Sequence, residues 1–367
     1  PVIIGFAGTT NGAGFITVST TSGDHPMIGT SSFSPSYTVN RYWTISNNGV
    51  TGYTSYDATF NYISSDLDPD TDPLSLVSGL YTGGAWTYPT NGTSTLTSLQ
   101  ATGLTAFGDF QLGVYIGTFR SSASGDWSQA STWEVFVGGV WTGAPAVPSV
   151  GANAVTIISP HNVNVTSGII IDELTVEPGG VLTLGDSIEL NDGTGDDLTV
   201  GGTIICSGSN IVYGTGSFIL STAADIEIGS PDGIDITGLS GSIQTGTSSF
   251  DQGANYSYSG SLSQLTGSGL PSTVNNLTIN NTGGVSLTSS VTLNGTLNLT
   301  AGVLNTGTRS LTFQNSDIPI SRTAGTISFS SSSSLTFGTP GNTGGAAFTV
   351  PAASFTSDPV ITDLTIN

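Results

Sequence analysis

A short strand-like block recurs along the later two thirds of the chain. Glu173-Leu174-Thr175-Val176, Asp197-Leu198-Thr199-Val200 and Asp225-Ile226-Glu227-Ile228 share one pattern, and Ser310-Leu311-Thr312-Phe313, Ser334-Leu335-Thr336-Phe337 and Asp363-Leu364-Thr365-Ile366 repeat it. Neighbouring copies within each set stand 24 to 29 residues apart. Alternation of apolar and polar residues sends Leu-x-Val and Leu-x-Phe pairs to one face of a strand. A period of this length, with Gly and Asn at the corners, is the signature of a solenoid. In a parallel β-helix each coil pairs with the next about 4.8 Å away. The expectation is therefore all-β: a right-handed parallel β-helix over 119–367, of roughly ten coils, with an irregular insertion at about 244–271. An Ig-like arrangement is the alternative. The terminal "DLTIN" (363–367) is a core strand motif that also occurs as "NLTIN" at 276–280. An open last coil exposes unpaired edge groups, so the solenoid is expected to continue beyond residue 367.

Residues 1–118 read differently. "VNRYWTIS" (39–46), "YDATFNYI" (56–63) and "GDFQLGVYIG" (108–117) alternate apolar and polar positions, with turn signals at Asn47-Asn48-Gly49 and Asn91-Gly92. Some seven to nine short strands suggest a β-sandwich.

Composition narrows the function classes. Twenty-five acidic residues oppose four arginines, and lysine is absent. Nucleic acid needs clustered Lys and Arg to displace counterions, and anionic bilayers need the same; neither is an expected partner. No apolar run approaches the length of a membrane span. The single cysteine, Cys206, follows Ile204-Ile205 and reads as a small buried hydrophobe. A lysine-free, hydroxyl-rich surface suits an extracellular protein exposed to proteases.

Both regions resemble modules of very large secreted surface adhesins of the phylum Bacteroidota, including gliding-motility adhesins exported by the type IX route. The resemblance lies in "VNRYWTISNNG" (39–49), "YDATFNYISSDLD" (56–68) and "GGAWTYPTNGTSTLTSLQATGLTAFGDFQLG" (83–113), then in "GDWSQASTW" (125–133), "PSVGANAVTI" (148–157) and "LTSSVTLNGTLNLTAGVLNTG" (287–307). The opening of the second region is similar to the start of a G8-type β-rich domain. The resemblance implies an architecture and a cell-surface location. It brings no catalytic residues.

Candidate chemistry is sparse. "DLDPDTDP" places Asp66, Asp68, Asp70 and Asp72 at alternate positions, which an extended segment would project from one face. Calcium would neutralise them; a solvated acidic turn is the other reading. Asp192, Asp196 and Asp197 form a second candidate calcium site at a solenoid corner, with the same alternative. Adjacent Asp196-Asp197 also invites a glycosidase reading. With only His25 and His161 and no lysine, the chain lacks partners for such chemistry and reads as a non-enzyme. Trp127, Trp133 and Trp141 read as a plug over the first coil, and Trp43 and Trp86 as sandwich core. Asp186-Ser187-Ile188 matches a short glycosylation motif, with Ser187 the acceptor.

The expected function is mechanical and adhesive: a segment of a multi-module surface adhesin or extracellular filament. Its expected partners are neighbouring modules of the same chain, surface polysaccharide and other cells. The alternatives are a calcium-dependent carbohydrate-binding module and a self-assembling fibre subunit.

Overall fold

The computed structural model describes residues 1–367 except 70, 138, 315–318, 331, 339–350, 352, 353, 357–363 and 367. The protein is all-β, and its helical content among these residues is three single 3-10 turns. It divides into two compact units, one of residues 1–119 and 129–153, the other of 120–128 and 154–367. The first unit thus recovers residues 129–153, which the sequence reading placed after the boundary.

The first unit is a nine-stranded β-sandwich: β1 (Val2–Asn11), β2 (Phe15–Ser22), β3 (Phe33–Asn48), β4 (Thr51–Asn61), β5 (Leu76–Thr82), β6 (Ala85–Thr87), β7 (Thr90–Thr95), β8 (Ser98–Leu104) and β9 (Gly108–Tyr115). One sheet has the order β1-β4-β8-β7 and the other β2-β3-β9-β5-β6, all antiparallel. Strict alternation explains the packing. Tyr56, Ala58 and Phe60 of β4 point inward against Trp43 and Ile45 of β3, Leu99 and Ala101 of β8, and Phe110 and Leu112 of β9. The Phe60 ring lies 5.0 Å from Trp43 and 4.9 Å from Phe110, so the two sheets share one aromatic core. Asn91-Gly92, expected as a turn, instead lies within β7 at a register shift. The Asn91 side chain accepts from the Ser78 N–H and hydroxyl, which gives this non-repetitive position a reason other than turning. Trp133–Val137 and Val140–Gly143 add an antiparallel hairpin to this unit.

The second unit is a parallel β-solenoid of about 8 turns, fewer than the ten expected. One face is continuous across nine strands, from Gly125–Asp126 to Ile320–Arg322. Within it Leu182, Ile204 and Ile226 pair in register, an advance of 22 residues per coil. The alternate line runs Leu184, Cys206, Ile228, Tyr258, Ile279 and Leu299. All of these are buried, so Cys206 occupies a hydrophobic rank as expected. Burial, reinforced by Glu227, pushes its thiol up to about 12.

The repeated blocks stack only partly as the sequence suggested. Leu174-Thr175-Val176 pairs with Leu198-Thr199-Val200, and Leu311-Thr312-Phe313 with Leu335-Thr336-Phe337. Leu198 next pairs with Phe218, however, and Asp225–Ile228 belongs to the continuous face. Equal spacing does not specify which face of a coil a block occupies.

The other two faces are interrupted. The face made by Ile169–Ile171, Ile188–Leu190 and Val212–Gly214 ends at Ile243–Gln244, and that made by Ala154–Ile157 and its successors ends at Thr247–Phe250. New sheets begin at Gln264–Leu265 and Thr273–Val274. The extra residues that permit this are 229–242, whereas the expected insertion at 244–271 carries the ladder strands Thr247–Phe250 and Asn255–Tyr258 and the first strand of a new sheet, Gln264–Leu265. The inserted segment is tied in by backbone bonds from Leu265 N–H to Pro231 O (2.8 Å) and Gly269 N–H to Ile234 O (2.8 Å). Buried Gln264 adds donations to Ile228 O (3.0 Å) and Ser230 O (2.9 Å), carbonyls that also accept from Ser259 N–H (3.1 Å) and Gly233 N–H (3.0 Å).

Candidate functional site

The acidic loop of the first unit does not form the expected carboxylate row. Ser64–Asp66 is a 3-10 turn, which breaks the extended path that would have put the four aspartates on one face. Arg41 takes the Asp66 carboxylate with two bonds, Nε to Oδ2 (3.2 Å) and Nη2 to Oδ1 (3.1 Å), and holds its pKa down. Asp68 accepts from Thr38 N–H (2.8 Å) and Asn40 Nδ2 (2.6 Å). Asp72 Oδ1 accepts from Leu74 N–H at 2.9 Å. Asp70 lies outside the described residues. These carboxylates pin strand β3 and the loop rather than converging. Among the described residues no three His, Cys, Asp or Glu side chains come together as a metal-holding group.

The second cluster also separates, and one member acquires an unexpected partner. Asp192 and Asp196 are exposed, while Asp197 is turned inward and buried. Its Oδ2 accepts from the Ser217 N–H (2.6 Å) and hydroxyl (2.9 Å), and its Oδ1 from Gly193 N–H (3.2 Å). Ser217 stands on the next coil, since Leu198 pairs with Phe218. On the preceding coil, Asp172 brings its carboxyl against Asp197. A Cβ at position 193 would lie 2.1 Å from Asp172 Oδ2, so glycine there leaves room for the second acid. Asp172 Oδ1 is buried without a hydrogen-bond partner.

Two acids so close hold one proton between them. Burial raises the Asp172 pKa to about 6, helped by the hydrogen bond and charge of Asp197 and by the charge of Glu173. Asp197 moves the opposite way: despite its burial, the donors from Ser217 and Gly193 keep it low. Because the folded state binds the Asp172 proton more tightly than the unfolded chain, this contribution is complete below about pH 4 and is lost as pH rises through about 6. Asp172→Asn retains a donor for Asp197 without the charge. Its stability relative to the wild type is therefore expected to rise by about 1 kcal/mol between pH 4 and 7, after discounting for partial exposure. Urea unfolding of both proteins at several pH values checks this, and a difference that stays flat with pH would refute the shared proton.

The tryptophans divide in a way the sequence reading did not anticipate. Trp43 is core, as expected. Trp127 and Trp133 are both buried, but Trp127 belongs to the solenoid unit and Trp133 to the sandwich unit. Trp141 is half-buried and packs on Phe136 with ring centroids 5.2 Å apart. Trp86, expected in the sandwich core, instead lines an open cleft of about 500 Å³ in the first unit, with Thr30, Ser32, Gly84, Ala85, Tyr88, Tyr115 and Val137. The alternation in Ala85-Trp86-Thr87-Tyr88 puts both rings on one side of the chain, a signal legible in the sequence.

The indole is fixed from behind. Trp86 Nε1 donates to Met27 O (3.0 Å), and the edges of His25 (5.1 Å) and Phe33 (5.9 Å) meet the ring. His25 is buried and held by Asp109 Oδ2 at 3.2 Å from Nε2 and by Met27 N–H donating to Nδ1 (3.1 Å). Tyr88 packs edge-on against Phe33 and Tyr115, and its hydroxyl accepts from the Ser32 N–H. In the solenoid, His161 Nδ1 meets the Ser121 hydroxyl at 2.9 Å, and the half-buried Ser187 accepts from Ile211 N–H (3.1 Å). No protein-family model, curated protein or solved structure matches the chain.

Proposed function

We propose that this chain is a non-catalytic structural and adhesive segment of a secreted, multi-module cell-surface protein, in which the solenoid serves as a stiff spacer and the sandwich as a presented module. The observation that carries the reading is the stack of parallel ladders, in which register is kept from Leu182 through Leu297 on one face. Each coil contacts mainly its neighbours, so such a stack provides length and stiffness rather than an enclosed catalytic cavity. The outward positions favour the same reading: Thr175 pairs with Thr199, and Thr312 with Thr336. Short hydroxyl side chains on the ladder and an acidic net charge keep such a surface hydrated and discourage edge-to-edge association. No helix among the described residues is long and apolar enough to cross a membrane.

Antibodies raised against the folded chain test this reading on intact source cells. Labelling without permeabilisation, with capture of a polypeptide several times longer than this chain, is the expected result. Labelling only after the cells are opened would overturn it.

A further inference from the structure

We propose that the cleft bounded by Trp86, Tyr88 and Tyr115 binds a neutral oligosaccharide, with the Trp86 ring as its stacking platform. The proposal stands apart from the spacer reading, since it concerns the sandwich unit alone.

The cleft's volume, about 500 Å³, falls in the range of small-molecule sites and is open enough for a short chain of sugar rings to enter from the side. Its lining is three aromatic rings, two hydroxyl residues and small or aliphatic side chains, with no charged group. That combination matches a pyranose, whose C–H face is apolar and whose rim is hydroxyl. Flat rings receive the face, while Thr30, Ser32 and the exposed backbone of the Gly83-Gly84 turn meet the rim. The two glycines have φ of +60° and +87° and would carry no clashing Cβ, so the turn leaves one wall low.

Charge selects among sugars. A chain with 25 acidic residues against four arginines repels an anionic polysaccharide, and this lining offers no cation to compensate. A cationic ligand would find no carboxylate here. Neutral saccharides remain the class whose chemistry the lining matches.

The rings are also held before any ligand arrives. The bond from Trp86 Nε1 to Met27 O, the edge contact of His25, and the bond from Ser32 N–H to the Tyr88 hydroxyl each restrict a rotamer. Ser32 also meets the Tyr115 hydroxyl through its own side chain. Fixing these side chains in advance removes an ordering cost that a flexible aromatic surface would bear on binding. None of these groups requires a metal ion, which separates this site from a calcium-bridged lectin.

The test is titration of the full chain, in EDTA, with a panel of neutral oligosaccharides of glucose, mannose, galactose, xylose and N-acetylglucosamine, followed by calorimetry and by tryptophan fluorescence. At least one member should bind with a Kd on the order of 0.1–1 mM, as expected for an uncharged open cleft. Trp86→Ala should weaken it at least about tenfold, a loss consistent with removing one stacking ring. Because Trp86 also packs on its neighbours, the second variant is Ala85→Tyr. It adds bulk at an exposed position in the cleft and should abolish binding while leaving the urea midpoint at the wild-type value. Absence of binding across the panel, binding that both variants retain, or binding that requires calcium would overturn the proposal. So would capture of a proline-rich peptide with no saccharide bound, since aromatic grooves also accept that ligand.

Discussion

Tyr258→Ala is expected to lower the unfolding free energy of the solenoid unit by about 5 kcal/mol, and Tyr258→Phe by about 1–2 kcal/mol. Tyr258 is fully buried in the continuous face, between Ile228 of the coil before and Ile279 of the coil after. Its hydroxyl donates to Thr266 O at 2.7 Å, just where a new sheet begins at Gln264–Leu265. Burial drives its pKa well above the ordinary tyrosine range, so the group stays a neutral donor at every working pH. Truncation to alanine removes a ring that nothing nearby can replace and leaves the Thr266 carbonyl without this donor. Phenylalanine keeps the ring and loses only the bond. Urea titration followed by circular dichroism separates the two contributions. A phenylalanine variant as damaged as the alanine variant would show that the hydroxyl, rather than the ring, carries the effect.

Gly302→Ala is expected to cost about 3 kcal/mol, against about 1 kcal/mol for Gly307→Ala a few residues away. Both glycines have positive φ, +79° and +59°, so both substitutions incur the left-handed backbone penalty. They differ in what a side chain would meet. A Cβ at Gly302 would stand 1.7 Å from Asn281 O on the preceding coil, whereas nothing lies within 4 Å of one at Gly307. The obstruction is backbone, and it cannot rotate away. Asn281 is itself fixed, buried with its side chain donating to Leu262 O (2.7 Å) and Gln264 Oε1 (2.6 Å). Relief therefore requires moving one coil against the next. Thermal unfolding of the two variants side by side is the check, and equal losses would mean that the coils are not in the close contact described.

How far the sequence could be read follows from what each signal encodes. Period-two alternation is a property of single strands, and it located Tyr56–Phe60 and Leu174–Val176 correctly, since burial of alternate residues is what selects such residues. The repeat spacing revealed a solenoid but not its phase. Ser217-Phe218-Ile219-Leu220 stacks on Leu198-Thr199-Val200 without resembling it, because the ladder needs only apolar residues of suitable size on the inside. The advance of 30 residues from Ile226 to Tyr256 absorbs the inserted segment and throws off any fixed period. The acidic clusters misled for a related reason. Proximity in sequence put Asp196 beside Asp197, whereas coiling put Asp172 against it. A carboxylate's partner in a solenoid stands about one coil away, at a spacing no local motif records. Trp86 was assigned to the core on residue type alone, although its neighbours Ala85 and Thr87 are exposed and β6 is the last strand of its sheet.

The interrupted ladders also set how the solenoid would respond to load. Where Ile243–Gln244 and Thr247–Phe250 end their sheets, one strand pair, Asn255–Tyr258 with Leu277–Asn280, continues the regular backbone ladder across the gap. A beam cut on two of its three sides bends toward the uncut one. The solenoid should thus be stiff along most of its length and compliant in one direction at this coil, with the continuous face as the flexure and the 229–242 segment as the stop that limits its travel.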